Sequence, residues 1–156
     1  MCSSDLYLGI GSNLGDKERH IEAAINHIEE LIGKILSRSA FYVTEPWGFS
    51  SENNFINAAV GVETVLSPRN VLHATKEIER QMGRTRKSSE GRYEDRVIDI
   101  DILLYDDLVI EETDLVIPHP LMLQRLFVMQ PLGEIAPEFM HPVFGKSIKE
   151  LLISIQ

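Results

Sequence analysis

The chain has 156 residues, 44% hydrophobic and 25% charged, with a formal net charge of −9, the profile of a single ordinary globular domain able to bury ~70% of its unfolded surface. No apolar run approaches the ~18 residues of a membrane span, and no basic-then-apolar leader opens the chain. One cysteine, Cys2, excludes an internal disulfide and fits a reducing cytoplasm, while the acidic balance argues against nucleic acid as a partner.

In chain order, residues 5–10 read as a strand that enters Gly11-Ser12-Asn13-Leu14-Gly15-Asp16. A dinucleotide fingerprint is rejected there, because the third glycine would fall at Leu14. The glycines are read as turn residues, with Asp16 as the N-cap of a helix whose apolar face runs from Ile21 to Ile32 and which Gly33 stops. Residues 35–44 read as a second strand, followed by a loop that holds the sole tryptophan, Trp47. That loop suits either a lid or an aromatic tucked onto the core.

Ile56, Ala58, Val60 and Val62 give a third strand its apolar face, with Phe55, Asn57 and Ala59 opposite. Asn57 carries donors and an acceptor able to read a heterocycle edge, or equally to satisfy neighbouring backbone. Ser67-Pro68 starts a second helix that ends at Gly83. Five of the 15 basic residues then fall within positions 84–96. Alone, such a run is a solvated loop.

The next stretch, Arg96 to Tyr105, changes that weighing. At a period of two, Ile98, Ile100, Ile102 and Leu104 form one apolar row, and Asp99 and Asp101 share the opposite face. Residues two apart on a strand rise about 6.5 to 7 Å, so two carboxylates lean toward one point. At ~5 Å and an effective dielectric near 20 their repulsion is roughly 3 kcal/mol. The pair is either a solvated face or a Mg²⁺ site whose coordination substrate phosphates complete. Arginines leading directly into it favour phosphoryl chemistry.

Asp106-Asp107 reads as a turn and Leu108 to Ile110 as a strand returning beside the aspartate strand. His119 sits between Pro118 and Pro120, whose rings set its direction, as a ligand contact or a turn residue. Residues 121–132 read as a helix containing Phe127, and Ser147 to Ile155 as a closing helix.

Taken together, Gly11-Ser-Asn-Leu-Gly15, Phe55-Ile-Asn-Ala-Ala59, Arg96-Val-Ile-Asp-Ile-Asp-Ile-Leu103, Ile117-Pro-His-Pro120 and Arg125-Leu-Phe-Val128 resemble, in order, the 6-hydroxymethyl-7,8-dihydropterin pyrophosphokinase family of folate biosynthesis. Each motif is weak alone, and five in register are specific. The resemblance implies an α+β, ferredoxin-like sandwich, an antiparallel sheet with helices packed on it, in one domain spanning 1–156. It implies transfer of pyrophosphate from ATP to the pterin hydroxymethyl oxygen by a cytoplasmic monomer.

By the same resemblance, Asp99 and Asp101 would hold two Mg²⁺ ions, and Arg84, Arg96 and Asp99 would be catalytic. Glu79, Arg86, Lys87, Arg96 and His119 would contact ATP. Thr44, Pro46, Trp47, Phe55, Asn57 and Phe127 would form the pterin site. The chain departs from the family at Tyr93-Glu94-Asp95, where many relatives carry Trp-Gly-Pro, at Glu45, where a second proline is common, and at Asp114, where some relatives place a base. The aspartates and arginines alone would also suit another Mg²⁺-dependent kinase or nucleotidyltransferase acting on a small alcohol. A non-catalytic ferredoxin-like ligand-binding module is the reading from a different class.

Overall fold

A computed structural model of the chain describes residues 2–44, 54–83 and 97–156. Strand β1 (Ser4–Ser12) precedes helix α1 (Lys17–Leu31), then β2 (Gly33–Arg38), β3 (Tyr42–Thr44), β4 (Phe55–Thr64), α2 (Pro68–Gln81) and β5 (Asp99–Tyr105). A hairpin of β6 (Ile110–Glu112) and β7 (Leu115–Ile117) follows, then α3 (Leu126–Ile135) and α4 (Ile148–Ile155). The sheet is antiparallel in the order β2-β4-β1-β5, with β3 also paired to β4. A βαββαβ order with this strand arrangement is the ferredoxin-like sandwich.

Alternation along the central strands gives the sheet two buried faces. Leu6, Leu8, Ile10, Ala58, Val60, Val62, Ile98, Ile100 and Ile102 join α1 and α2 in one core. Ala59, Leu103 and Leu104 meet α3 and α4 in a second. The single apolar row expected from Ile98 to Leu104 is therefore broken. A register shift between Tyr7 and Leu8 places Leu104 across from Tyr7 and Ile102 across from Leu8. The extra residue, Leu103, reverses the phase of the strand, so Leu104 serves the core that Ile102 does not.

Other boundaries also differ from expectation. The 35–44 strand is interrupted, because the Ser39 hydroxyl accepts from the Ala59 N–H at 2.9 Å where a backbone carbonyl would continue the ladder. Residues 108–110 do not return beside β5; Ile110 starts β6, which pairs with β7. Residues 121–132 are a short 3₁₀ turn at Met122–Gln124 and then α3, parted by Arg125 in an extended conformation. Nor are Gly9 and Gly11 turn residues: β1 runs through them, and Gly15, at φ 65°, is where the chain turns. Gly33 begins β2 directly after α1, and a Cβ there would overlap the Glu63 carbonyl.

The helix caps follow the sequence closely. Asp16 accepts from the Arg19 N–H, Ser67 from the Asn70 N–H, and Ser147 with Glu150 closes a reciprocal capping box. Arg69 at the start of α2 pairs with Glu112 and Asp114, which holds the β6–β7 hairpin to the helix.

Candidate active site

The chemistry-bearing residues lie near the C-terminal end of β1, on the sheet face that also carries Ala59 and Leu103 of the second core. Register puts Asp101 across from Gly9 and Asp99 across from Gly11 on one side of β1. On the other side Gly9 faces Ala59 and Gly11 faces Asn57. Cross-strand partners point to the same face, so two residues without side chains make a trough between the carboxylates and the Asn57 amide. Asp99 and Asn57 stand two strand spacings apart, about 10 Å.

Asn57 is 8% exposed, and its Nδ2 donates to the Thr44 hydroxyl at 3.1 Å. This bond orients the amide and leaves its Oδ1 over Gly11, where an added Cβ would lie 2.9 Å away. Phe55 borders the same spot, its Cδ1 3.9 Å from that position. Phe127 lies on α3, partly buried against the second core. The Arg125 guanidinium stands 5.8 Å from the Phe127 ring centroid.

The carboxylate side is electrostatically crowded. Burial, then the charge of Asp99, pushes the Asp101 carboxyl up to about 7; Glu79 adds to the effect, and Arg125 and Lys76 oppose it. Glu79 is 2% exposed on α2 and accepts from the Ile100 N–H at 2.8 Å, fastening the helix to the outer edge of β5 between the two aspartates. Its other oxygen lies 3.8 Å from Lys76 Nζ.

His119 follows a cis Ile117–Pro118 peptide. Its backbone N–H donates to the Leu103 carbonyl at 3.0 Å, and its Nδ1 accepts from the Leu121 N–H at 3.2 Å. With Nδ1 an acceptor, the ring proton sits on Nε2, which is 3.9 Å from Asp101 Oδ1. Burial and then Arg125 hold this imidazole below its usual pKa, against a smaller opposite pull from Asp99. His119 is thus a turn residue by its backbone and Nδ1, while its Nε2 faces Asp101.

Of the residues expected at the site, Thr44, Phe55, Asn57, Glu79, Asp99, Asp101, His119 and Phe127 are described, and Asp99 and Asp101 share a face with Asn57. Pro46, Trp47, Arg84, Arg86, Lys87 and Arg96 lie outside the described residues, as do Glu45 and Tyr93-Glu94-Asp95. Arg125 was no site residue by sequence, although it opens one of the five motifs; its charge acts on both Asp101 and His119. A cation directly after a short 3₁₀ turn carries no periodic signal of its own. Asp114 is paired with Arg69 at 2.7 Å.

Among the described residues no group of three or more His, Cys, Asp or Glu could hold a metal ion. The Asp99–Asp101 carboxylate pair nevertheless fits Mg²⁺, which binds through one or two carboxylates and completes its octahedron with water and phosphate oxygens. The charge state of Asp101 has a consequence for the ligand-free protein. An acid whose folded pKa lies above its unfolded value near 4 binds more protons when folded, so its contribution to stability is present at low pH and lost as pH rises through about 7. Asp101 is a third open to solvent, so solvent screening limits the loss between pH 5.5 and 8 to on the order of 1 kcal/mol. Thermal melts of wild type and Asp101→Asn in chelator should show this pH dependence in the wild type alone. The comparison cancels His119, whose depressed pKa costs stability as pH falls.

The element order and sheet define a ferredoxin-like α+β protein, and comparison with known proteins narrows the class. A family model described as 7,8-dihydro-6-hydroxymethylpterin-pyrophosphokinase (HPPK) matches residues 7–137. The chain belongs to this family. It is 47% identical over 138 residues to the 2-amino-4-hydroxy-6-hydroxymethyldihydropteridine pyrophosphokinase of Porphyromonas gingivalis, covering 88% of this chain and 93% of that protein. The Aquifex aeolicus enzyme of the same name is 41% identical over 145 residues, 93% of this chain and 88% of that one. In the folic acid synthesis protein of Schizosaccharomyces pombe the match, 38% identical, covers 94% of this chain but 20% of that protein. Wild-type HPPK-DHPS of Plasmodium falciparum superposes with a TM-score of 0.77 at 19% identity, over 97% of this chain and 44% of that one, a likeness of fold.

Proposed function

We propose that this protein transfers pyrophosphate from ATP to the hydroxymethyl group of 6-hydroxymethyl-7,8-dihydropterin and releases AMP, a step of folate biosynthesis. The observation that carries the reading is the shared sheet face, where the glycine trough of β1 separates the Asp99–Asp101 pair from Asn57. A flat heterocycle whose polar edge bonds to Asn57 would carry its hydroxymethyl arm toward phosphates gathered at the aspartates. Two strand spacings, about 10 Å, suit a bicyclic ring and its one-carbon arm.

In this reading Asp99 and Asp101 hold two Mg²⁺ ions, which neutralise triphosphate charge when bound. Asn57, oriented by Thr44, reads the pterin edge; Phe127 and Phe55 pack on the ring, with Pro46 and Trp47 as further wall. Arg84 and Arg96 stabilise charge on the transferring group, and Arg86, Lys87 and His119 bind ATP, with the charge of Arg125 acting on His119 and Asp101. Glu79 acts by fastening β5, which fixes where the aspartates stand. The neutral His119 offers its Nε2–H as a donor to a phosphate oxygen without adding a titrating charge near pH 7.

The protein is read as a single-domain cytoplasmic monomer with small-molecule substrates and neither nucleic acid nor membrane as partner. Its net charge of −9 supports the first exclusion, and no described helix is long and apolar enough to cross a membrane. Incubation with ATP, Mg²⁺ and the dihydropterin, followed by separation of nucleotides, tests the reaction. AMP formed in step with pterin pyrophosphate is the expected result. ADP would mean γ-phosphoryl transfer by a kinase of another kind, and unconsumed ATP would return the chain to a binding role.

A further inference from the structure

One carboxylate outside the trough makes bonds that its own helix does not need. Glu134, on α3, accepts from the Ala40 N–H with both oxygens at 3.1 Å and from the Tyr42 hydroxyl at 2.7 Å. Ala40 lies in the interruption between β2 and β3, just after the Ser39 hydroxyl replaces a ladder carbonyl, and Tyr42 is the first residue of β3. The strand that follows is three residues long, on the outer side of β4. So short a strand has little pairing to fix it.

What β3 carries makes its placement matter. Tyr42 pairs with Asn57, and Thr44 pairs with Phe55. The Thr44 hydroxyl accepts the Asn57 amide, so a shift of β3 turns the amide that faces the trough. The clamp comes from α3, the helix that bears Phe127 seven residues, or two turns, before Glu134. That helix packs on β3 and β4. The hydrogen bond to Glu134 also holds the Tyr42 phenol above its ordinary pKa.

We propose that Glu134 is a positioning residue for the pterin side of the site, tying β3, and through Thr44 the Asn57 amide, to the helix that bears Phe127. The inference rests on the function proposed above. Glu134 touches no reacting group, and its effect runs through β3. Because the carboxylate is open to water, each bond counts for less than a buried charge-assisted one. Loss of all three should show as roughly a three- to ten-fold effect.

Steady-state kinetics on wild type, Glu134→Ala, Glu134→Gln and Tyr42→Phe test this, with melting temperatures alongside. Glu134→Ala should raise KM for the dihydropterin by that factor and leave KM for ATP within two-fold of wild type. Glu134→Gln, whose carbonyl still accepts, should recover part of the loss, and Tyr42→Phe should fall between. If Glu134→Ala does not fold, Tyr42→Phe, which keeps the Ala40 bonds, must still raise the pterin KM selectively. Equal changes in both KM values, or none beside a lowered melting temperature, would overturn the positioning role. An inactive wild type overturns the underlying reading; an active one with unaltered variants overturns this inference alone.

Discussion

Asp101→Ala should abolish AMP formation, by at least about 10³-fold, while the ligand-free protein melts no lower than wild type. The two halves of this expectation share one cause. Asp101 sits on a buried edge strand with Asp99 and Glu79 acting on it, and its carboxyl is pushed up to about 7. Repulsion between two carboxylates at ~5 Å is roughly 3 kcal/mol at an effective dielectric near 20, and removing one relieves it. The charge density is a cost to the fold that a bound cation would offset, the usual relation between a functional cluster and stability. A second readout separates metal binding from chemistry: added Mg²⁺ should raise the melting temperature of wild type with nucleotide present, and fail to do so for the variant. Retained AMP formation in Asp101→Ala would place the cation site elsewhere.

Gly11→Ala should lower kcat/KM for the dihydropterin by about 10²-fold, the scale of a misplaced positioning group, with KM for ATP nearly unchanged. A Cβ at this position would stand 2.9 Å from Asn57 Oδ1 and 3.8 Å from the Ile56 carbonyl. The backbone cannot yield inside a sheet paired on both sides, so the amide must move. Moving it breaks its bond to Thr44 and fills the trough that joins Asn57 to Asp99. Gly9→Ala is the control on the same strand and face: its Cβ would meet the Leu103 side chain at 3.5 Å, an ordinary contact. Gly9→Ala should therefore cost far less than Gly11→Ala, and equal losses would refute the steric account.

These expectations draw unequally on sequence and structure. The period of two through Ile98, Asp99, Ile100 and Asp101 was legible because both faces of β5 carry distinct chemistry, as was the opposition of Asn57 to Ile56 and Ala58. The caps at Asp16 and Ser67 were legible because they depend on residues three apart. Leu104 was misplaced because a β-bulge leaves no mark in a run of isoleucine and leucine; the register partner, Tyr7, lies far away in sequence. The break after Arg38 was hidden for the same reason, since the Ser39 hydroxyl replaces a carbonyl only when Ala59 faces it. The strand expected at 108–110 misjudged its partner: Ile110 to Glu112 pairs with Leu115 to Ile117 across the two-residue turn Thr113-Asp114.

By itself, then, the sequence determined which residues bear charge, polarity or a ring, which local segments are amphipathic, and through five short motifs to which family the order belongs. Only the tertiary structure decided that Gly9 and Gly11 are the floor of a trough, that Arg125 acts on Asp101 and His119, and that Glu134 holds β3. Local periodicity follows from the geometry of a single element. A trough, a field at a carboxylate and a clamp between helix and strand are properties of pairs of elements brought together across the sheet, and they exist only once the chain has packed.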